Sequence, residues 1–408
     1  MKARRATSAT APATAPTTAP TTATVDVPGI AFDVTAPDHG RTRVAEFTVR
    51  DFRNLAQVDV TLPSEGIALV GENGQGKTSF LEALAYVEQL RSVRGARDRD
   101  LVRFDQPAFH VHATVHGPDG VRRLGAGADR AGRKKVTRDG VELPRITDAL
   151  GALPSVLLAP RDVTLVSDGP AERRRFLDIT LALTSPRYLR ALRHYRAALD
   201  RRNAALRDAA RHRRGTDGVA AWEPALAEHG AVLVAERRAW VRHHADEFTR
   251  LSYAIGEPGE SAMAYATPLP TEGNGEAALR DAFERAREHD LRRGSTHAGP
   301  HRDDLALTLD GRDLRVVGSA GQQRTGAIAL RLLEAATLRE RRETLPVLLL
   351  DDPFAELDNR RAARVLDLLL EAGVGQVVLC VPRREEIPDR FTRLSRYRIA
   401  DGALSEGE

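Results

Sequence analysis

The stretch "GIALVGENGQGKTSFLEALAYV", residues 66–87, decides the fold. It reads as a short apolar strand, a glycine loop and an amphipathic helix, and the loop, "GENGQGKT", sets four residues between two glycines ahead of a lysine and a hydroxyl. Such a loop lets backbone N–H groups converge on phosphate oxygens at a helix N-terminus, where the dipole also favours an anion. On this reading Gly71, Asn73, Gly74 and Gly76 form the cradle, Lys77 reaches the β and γ phosphates of ATP, and the Thr78 hydroxyl ligates Mg2+. A bare strand-to-helix turn would account for the glycines but not for the lysine and threonine together. Lysine is otherwise scarce, standing only at positions 2, 77, 134 and 135, and every other basic residue is arginine. Lys77 then marks either a need for a compact ammonium rather than a planar fork, or chance retention.

A second stretch, "VLLLDD" at 347–352, is an apolar run ending in two acids. A central parallel strand that delivers carboxylates to the edge beside a phosphate loop has this form. Asp351 is expected to hold Mg2+, directly or through water, and Asp352 to orient or deprotonate an attacking water. The competing reading, a pair of acids capping the next turn, is weakened by the "PFAELD" that follows, where Asp358 can cap the helix expected from Arg360.

Outward from these motifs, residues 6–24 contain only Ala, Thr, Ser and Pro, too little apolar surface to offset the entropy of ordering. We expect a disordered tail over residues 1–43; the repeated prolines argue against an amphipathic transit peptide. "VAEFTVRDFRNLAQVDVTLP" then alternates as two half-buried strands, and 109–141 is strand-like with Asp-Gly turns. These place one part of an α/β head at 44–170. Residues 171–293 are expected to be a helical, Arg-rich arm, with Tyr188, Leu192, Tyr195, Leu199 and Leu206 on one helix and Trp222, Leu226, Leu233 and Trp240 on a second, joined at about 213–218. Residues 294–408 alternate strands and helices and complete the head.

With 408 residues, the chain can bury a large core without staples. One cysteine, Cys380, excludes an intrachain disulfide and a cysteine zinc site and points to a reducing cytoplasm. The longest apolar clusters are strand-sized, so no membrane partner is expected. A net charge of +4 with a pI near 9.4 is compatible with a polyanion partner or simply with solubility.

The stretch "GSAGQQRTGAIALRLLEA", 318–335, is a helix with small residues and glutamines at its front. Alone it would be an ordinary polar cap. In the order phosphate loop, "SAGQQ", acidic strand, "AELD", it resembles the signature of ABC-type ATPases. That resemblance implies that Ser319, Gly321 and Gln322 hold the γ-phosphate of ATP bound by a partner subunit, with Asp358 reaching across the same interface. The distance between loop and signature is too long for transporter subunits and too short for long-armed chromosome-maintenance proteins.

With "VRDFRN", "LAPRDVTLVSDGPAERRRFLD", "YRAALDRRNAALR" and "HAGPHRDDL" in order, the chain resembles the RecF family of bacterial DNA replication and repair proteins. The resemblance implies an ABC-type P-loop ATPase head with a mixed sheet and a helical arm, and an ATP-dependent homodimer that clamps double-stranded or gapped DNA. It further implies recombination mediators of the RecO and RecR type as partners in loading RecA, and slow hydrolysis for release. Arg53 and Asn54 of "DFRN" either approach the nucleotide or merely turn a strand end. Cys380 and Val381 stand where this family tends to carry hydroxyls, and no switch histidine follows them, which motivates an alternative reading as an ATP-binding clamp with little hydrolysis. A transport ATPase subunit is the remaining alternative.

Arg187, Arg190, Arg193 and Arg196 recur every third residue, with Arg201 and Arg202 beyond, and as a set they are candidate contacts to DNA phosphates; singly, each reads as a solvated surface residue. His297, His301, Asp303 and Asp304 are read as a structural turn rather than a metal site, because Gly299 and Pro300 break any helix aligning them.

Overall fold

The computed structural model describes residues 40–407 apart from 213–216, 271–272, 356, 372 and 374. Most of the tail expected over 1–43, and most of the turn expected between the arm helices, lie outside the described residues. The fold begins slightly ahead of the expected boundary. Arg41 bridges Leu345, and the buried Thr42 hydroxyl bonds that of Thr344 at 2.9 Å.

Strands β1 (Arg43–Phe52) and β2 (Leu55–Thr61) form the expected hairpin, burying Val44, Phe47, Val49 and Phe52 from β1. Strand β3 (Gly66–Val70) feeds helix α1 (Lys77–Gln89) through the phosphate loop. The meander β4 (Ala108–Gly117), β5 (Gly120–Asp129), β6 (Lys134–Arg138) and β7 (Val141–Glu142) joins the hairpin in an antiparallel sheet ordered β2-β1-β4-β5-β6-β7. Next come β8 (Ser155–Leu158) and the helices α2 (Thr164–Ser167), α3 (Pro170–Thr184), α4 (Pro186–His212), α5 (Asp217–Ala220) and α6 (Glu223–Ile255). The weakly patterned stretch after α6 holds β9 (Ser261–Ala266), ahead of α7 (Gly275–Arg293). The chain closes with β10 (Asp304–Leu309), β11 (Arg312–Asp313), α8 (Leu314–Val317), α9 (Ala320–Arg342), β12 (Val347–Asp351), α10 (Asn359–Glu371), β13 (Val377–Val381), β14 (Ser395–Ala400) and β15 (Ala403–Glu406).

The central sheet, ordered β15-β14-β3-β13-β12-β8, is mixed: β14, β3, β13, β12 and β8 run parallel and β15 returns antiparallel. Its continuous apolar runs serve two faces at once. On β12, Val347 and Leu349 pack with α1 and the antiparallel sheet, while Leu348 and Leu350 face the core shared with the arm. On β13 the same alternation puts Val378 and Cys380 on the α1 side and Val377, Leu379 and Val381 opposite. Both faces of such strands are covered, which is why the sequence is apolar throughout rather than alternating. Buried Gln376 joins the two sheets: its amide accepts from Val44 N at 2.8 Å and donates to the Val44 carbonyl at 2.8 Å.

The arm is built on α4 and α6, the latter about 50 Å long for its 33 residues. Tyr188, Leu192, Tyr195 and Leu206 are buried on α4, and Leu226, Leu233 and Trp240 on α6. Leu206 packs in a small separate cluster with Ala209 and Val219; the core of the others continues into α9, and β9 pairs with β10, so the segments 171–293 and 294–408 share one apolar interior.

Candidate nucleotide-binding site

The phosphate loop is shaped by glycines that nothing else can replace. Gly76 has φ +116°, and a Cβ there would sit 3.0 Å from Leu55, 3.1 Å from Ile399 and 3.2 Å from the Asn54 amide. At Gly71 a Cβ would lie 2.4 Å from the Ile399 carbonyl. Any side chain would therefore push the loop off β14. The Lys77 side chain curls back along this loop: buried, it donates to the carbonyls of Gly71 and, at 2.9 Å, of Glu72.

At the start of α1 the Thr78 hydroxyl donates to Asp351 Oδ2 at 2.8 Å. Asp351 ends β12, with β13 standing between it and β3. Burial raises the Asp351 carboxyl above its ordinary range, opposed by the Thr78 hydrogen bond and the charge of Lys77. A hydroxyl and a carboxylate in contact are the hard oxygen donors that Mg2+ takes, so these two residues fit such an ion. Asp352 follows with φ +45°, in the left-handed region, its amide donating to the Cys380 carbonyl at 2.9 Å.

The cleft beside them measures about 850 Å3 and is lined by Asn73, Gly74, Gly76, Lys77 and Thr78, by Arg53 and Asn54, and by both acids. Asn54 donates to the Gly74 carbonyl at 3.3 Å, which fixes the loop from the β1–β2 turn. Arg53, at φ +58°, grips buried Glu82 of α1 through two bonds of 3.1 and 3.2 Å. Both therefore turn the strand end and face the cleft. Arg94, Arg99, Arg130 and the 84%-exposed Phe104 also line it. Sequence reading missed these four: Arg94, Arg99 and Phe104 come from a segment whose only signal is an arginine-rich run, "RSVRGARDRD", ahead of an isolated phenylalanine, and Arg130 stands alone in the turn after β5.

The signature residues form a separate surface. Ser319 caps α9, its hydroxyl accepting from Gln322 N at 3.3 Å while its own amide donates to Gln322 Oε1 at 2.9 Å. This reciprocal cap leaves Ser319 at a positive helix end. Gly321 is half-buried, with Arg361 nearby, where a Cβ would come within 3.2 Å of its guanidinium. None of the three lines the cleft around Lys77. Asp358 caps α10 as expected, accepting from the amides of Arg360 and Arg361 at 3.0 and 2.9 Å, and these bonds hold its carboxyl below the usual range.

Among the candidate DNA contacts, Arg187 and Arg190 lie exposed on α4 with Arg193 beyond them, Arg196 is ion-paired with Asp178 at 2.8 Å, and Arg201 lies over the Trp222 ring. Arg202 corrects the expectation. It is fully buried and bonded to Asp290 at 2.7 Å, Thr296 at 2.8 Å and Glu223 at 3.0 Å, so it cannot reach a phosphate backbone. A signal was present, since Arg202 continues the stripe Tyr195, Leu199, Leu206 at steps of three and four. The expected structural turn near His301 holds: its ring bonds Tyr195 at 2.6 Å and the Thr296 carbonyl at 3.0 Å, Asp303 accepts from Tyr265, and Asp304 pairs with Arg173.

A glycine cradle at a helix N-terminus, a strand-end acid touching its hydroxyl, and a capped signature helix together define a phosphate-loop ATPase head of the ABC type. The RecF/RecN/SMC N terminal domain family matches residues 43–404, and the chain belongs to the RecF family. The DNA replication and repair protein RecF of Chloroflexus aggregans is 38% identical over 89% of this chain and 100% of that protein. The protein of the same name from Frankia alni is 38% identical over 87% and 97%. The recombination mediator protein RecF solved with ATP, from the RecFOR pathway, matches with a TM-score of 0.83 at 28% identity, covering 91% of this chain and 99% of that one. The Smc head domain of Pyrococcus furiosus, at 17% identity and a TM-score of 0.51 over 89% and 95%, shares the fold.

Proposed function

We propose that this chain is an ATP-dependent DNA clamp of replication and recombinational repair, closing as a homodimer on duplex or gapped DNA in the cytoplasm and working with mediators of the RecO and RecR type. The observation that carries the reading is the Thr78–Asp351 contact beneath a glycine cradle, with a second capped helix N-terminus at Ser319. Lys77 and the loop amides hold the phosphates, and Thr78 and Asp351 would hold Mg2+, which when bound would neutralise phosphate charge. Asp352 orients the attacking water. The Ser319 end of a second copy gives the γ-phosphate contacts that exist only in the closed dimer, so ATP favours closure. DNA that favours the closed state is favoured by it in return. The solved RecF with ATP and the relatives named for DNA replication and repair support this reading, and nothing favours the transport alternative.

The test is the light-scattering mass of Asp352→Asn protein with and without Mg-ATP, then with short duplex DNA. A nucleotide-dependent monomer-to-dimer shift, strengthened by DNA, is expected. A monomer under every condition would remove the shared-site mechanism.

A second reading, a clamp that binds ATP and hardly hydrolyses it, is favoured by the end of β13. Cys380 and Val381 are buried there, with the Cys380 sulfur 3.8 Å from the Lys77 carbonyl and its thiol pushed well up by burial. Their side chains offer no hydroxyl or imidazole to a γ-phosphate. A steady-state rate abolished by Asp352→Asn would exclude this version.

A further inference from the structure

Away from the cleft, α6 and α9 bring two imidazoles and a carboxylate together. His243 and His244 follow one another on α6, Glu340 lies near the end of α9, and one ligating atom from each falls within 4.8 Å of the other two. His243 Nε2 and Glu340 Oε2 are 3.4 Å apart. Two ligands bonded at ~2.0–2.1 Å to a tetrahedral ion take about that spacing.

The buried member of the trio is held in position by its neighbours. The Trp240 indole donates to the Thr337 hydroxyl at 2.9 Å, and that hydroxyl donates to the Leu333 carbonyl at 2.7 Å. With its one proton spent there, the hydroxyl accepts from His244 Nε2 at 3.1 Å. His244 therefore keeps a lone pair on Nδ1, in the neutral form that binds metals. Proteins commonly fix a ligating imidazole by such a bond to its other nitrogen.

We propose that His243, His244 and Glu340 bind one divalent transition-metal ion of the zinc type, with water as the fourth ligand. Two imidazoles and a carboxylate suit such an ion, whereas the all-oxygen pair Thr78 and Asp351 suits Mg2+, so the two sites select different metals. The ion cross-links the arm helix α6 to the helix that carries Ser319 at its other end. Binding to the folded chain stabilises it by mass action.

The chain has two tryptophans, and the Trp240 ring lies 4.8 Å from that of His244. Metal-stripped, full-length Trp222→Phe protein therefore reports the site by fluorescence. It is titrated with Cu(II), a quencher, and in parallel with Zn(II) by calorimetry and thermal melting. One equivalent of Cu(II) is expected to quench Trp240, and Zn(II) to raise the melting temperature. His243→Ala and Glu340→Gln, both at exposed positions, should each weaken both effects by at least about tenfold while leaving Mg-ATP binding unchanged. Quenching and zinc heats that survive both substitutions, or no saturable one-to-one binding, would overturn the proposal.

Discussion

The Thr78 hydroxyl and the Asp351 carboxylate meet at 2.8 Å from positions 273 residues apart in the chain. One stands at the first turn of α1 and the other at the end of β12, and the parallel sheet alone brings them together. These two oxygens are thus placed by the core rather than by the loop. Ligand binding need not spend energy assembling them.

Lys77 tests the cradle most directly. Replacing it with alanine removes the ammonium that the Gly71 and Glu72 carbonyls now hold. ATP affinity should fall by about 2 kcal/mol, roughly thirtyfold, measured by calorimetry on the purified protein. Lys77→Arg should not restore it, because a planar fork does not fit a site shaped for a point charge. An unchanged affinity in Lys77→Ala would sink the phosphate-loop assignment.

Ser319 separates binding from closure. Ser319→Ala should cost about 1 kcal/mol of stability by removing the helix cap. It should leave ATP binding by a single protomer intact and abolish the nucleotide-dependent mass shift of the Asp352→Asn background. A double variant that dimerises normally would take Ser319 out of the interface.

Glu88 predicts a pH dependence. Fully buried on α1, it accepts the Ser155 amide at 3.0 Å and bonds the Ser155 hydroxyl at 2.5 Å. Burial outweighs those two bonds and raises its carboxyl from 4.5 to about 8. A raised value means that the folded state holds the proton more tightly than the unfolded one. The resulting stabilisation is complete below pH 4.5, drains away as pH rises toward 8, and changes no further above it. Glu88→Gln should gain on the parent by about 1.4 kcal/mol per pH unit across that window, read from denaturant unfolding at several pH values. A constant difference between the two proteins would show that Glu88 is ionised throughout.

The arginines of α4 should divide into two classes. Arg202→Ala leaves Glu223 and Asp290 buried without this partner and should cost about 3–5 kcal/mol. The triple substitution of Arg187, Arg190 and Arg193 by alanine should leave the melting temperature unchanged and weaken duplex binding. The slope of log K against log salt should shrink by about 0.9 for each DNA phosphate that these side chains no longer neutralise. Unaltered DNA affinity in the triple variant would move the DNA face elsewhere.

The sequence by itself determined the elements whose cause is local. Glycine spacing before Lys77 dictates a loop that only small residues can make, the unbroken apolar runs 67–70 and 347–350 dictate strands covered on both faces, and the alternating hairpin after Arg43 follows from period two. The strand-end acids and the polar front of the Ser319 helix were legible for the same reason: each depends on neighbours within a few residues.

What only the tertiary structure decided are the relations between distant segments. The stripe through Tyr195, Leu199 and Leu206 marks Arg202 as inward-facing, but its partners depend on which elements meet that flank of α4, and there it is buried against Glu223 and Asp290. The arginines and Phe104 that rim the cleft, and the meeting of His243, His244 and Glu340, likewise rest on packing between elements far apart in sequence. Side-chain periodicity reports that a face is buried but carries no information about its partner. The partner is chosen by the whole core, through many atomic contacts that are individually worth about 0.1–0.2 kcal/mol.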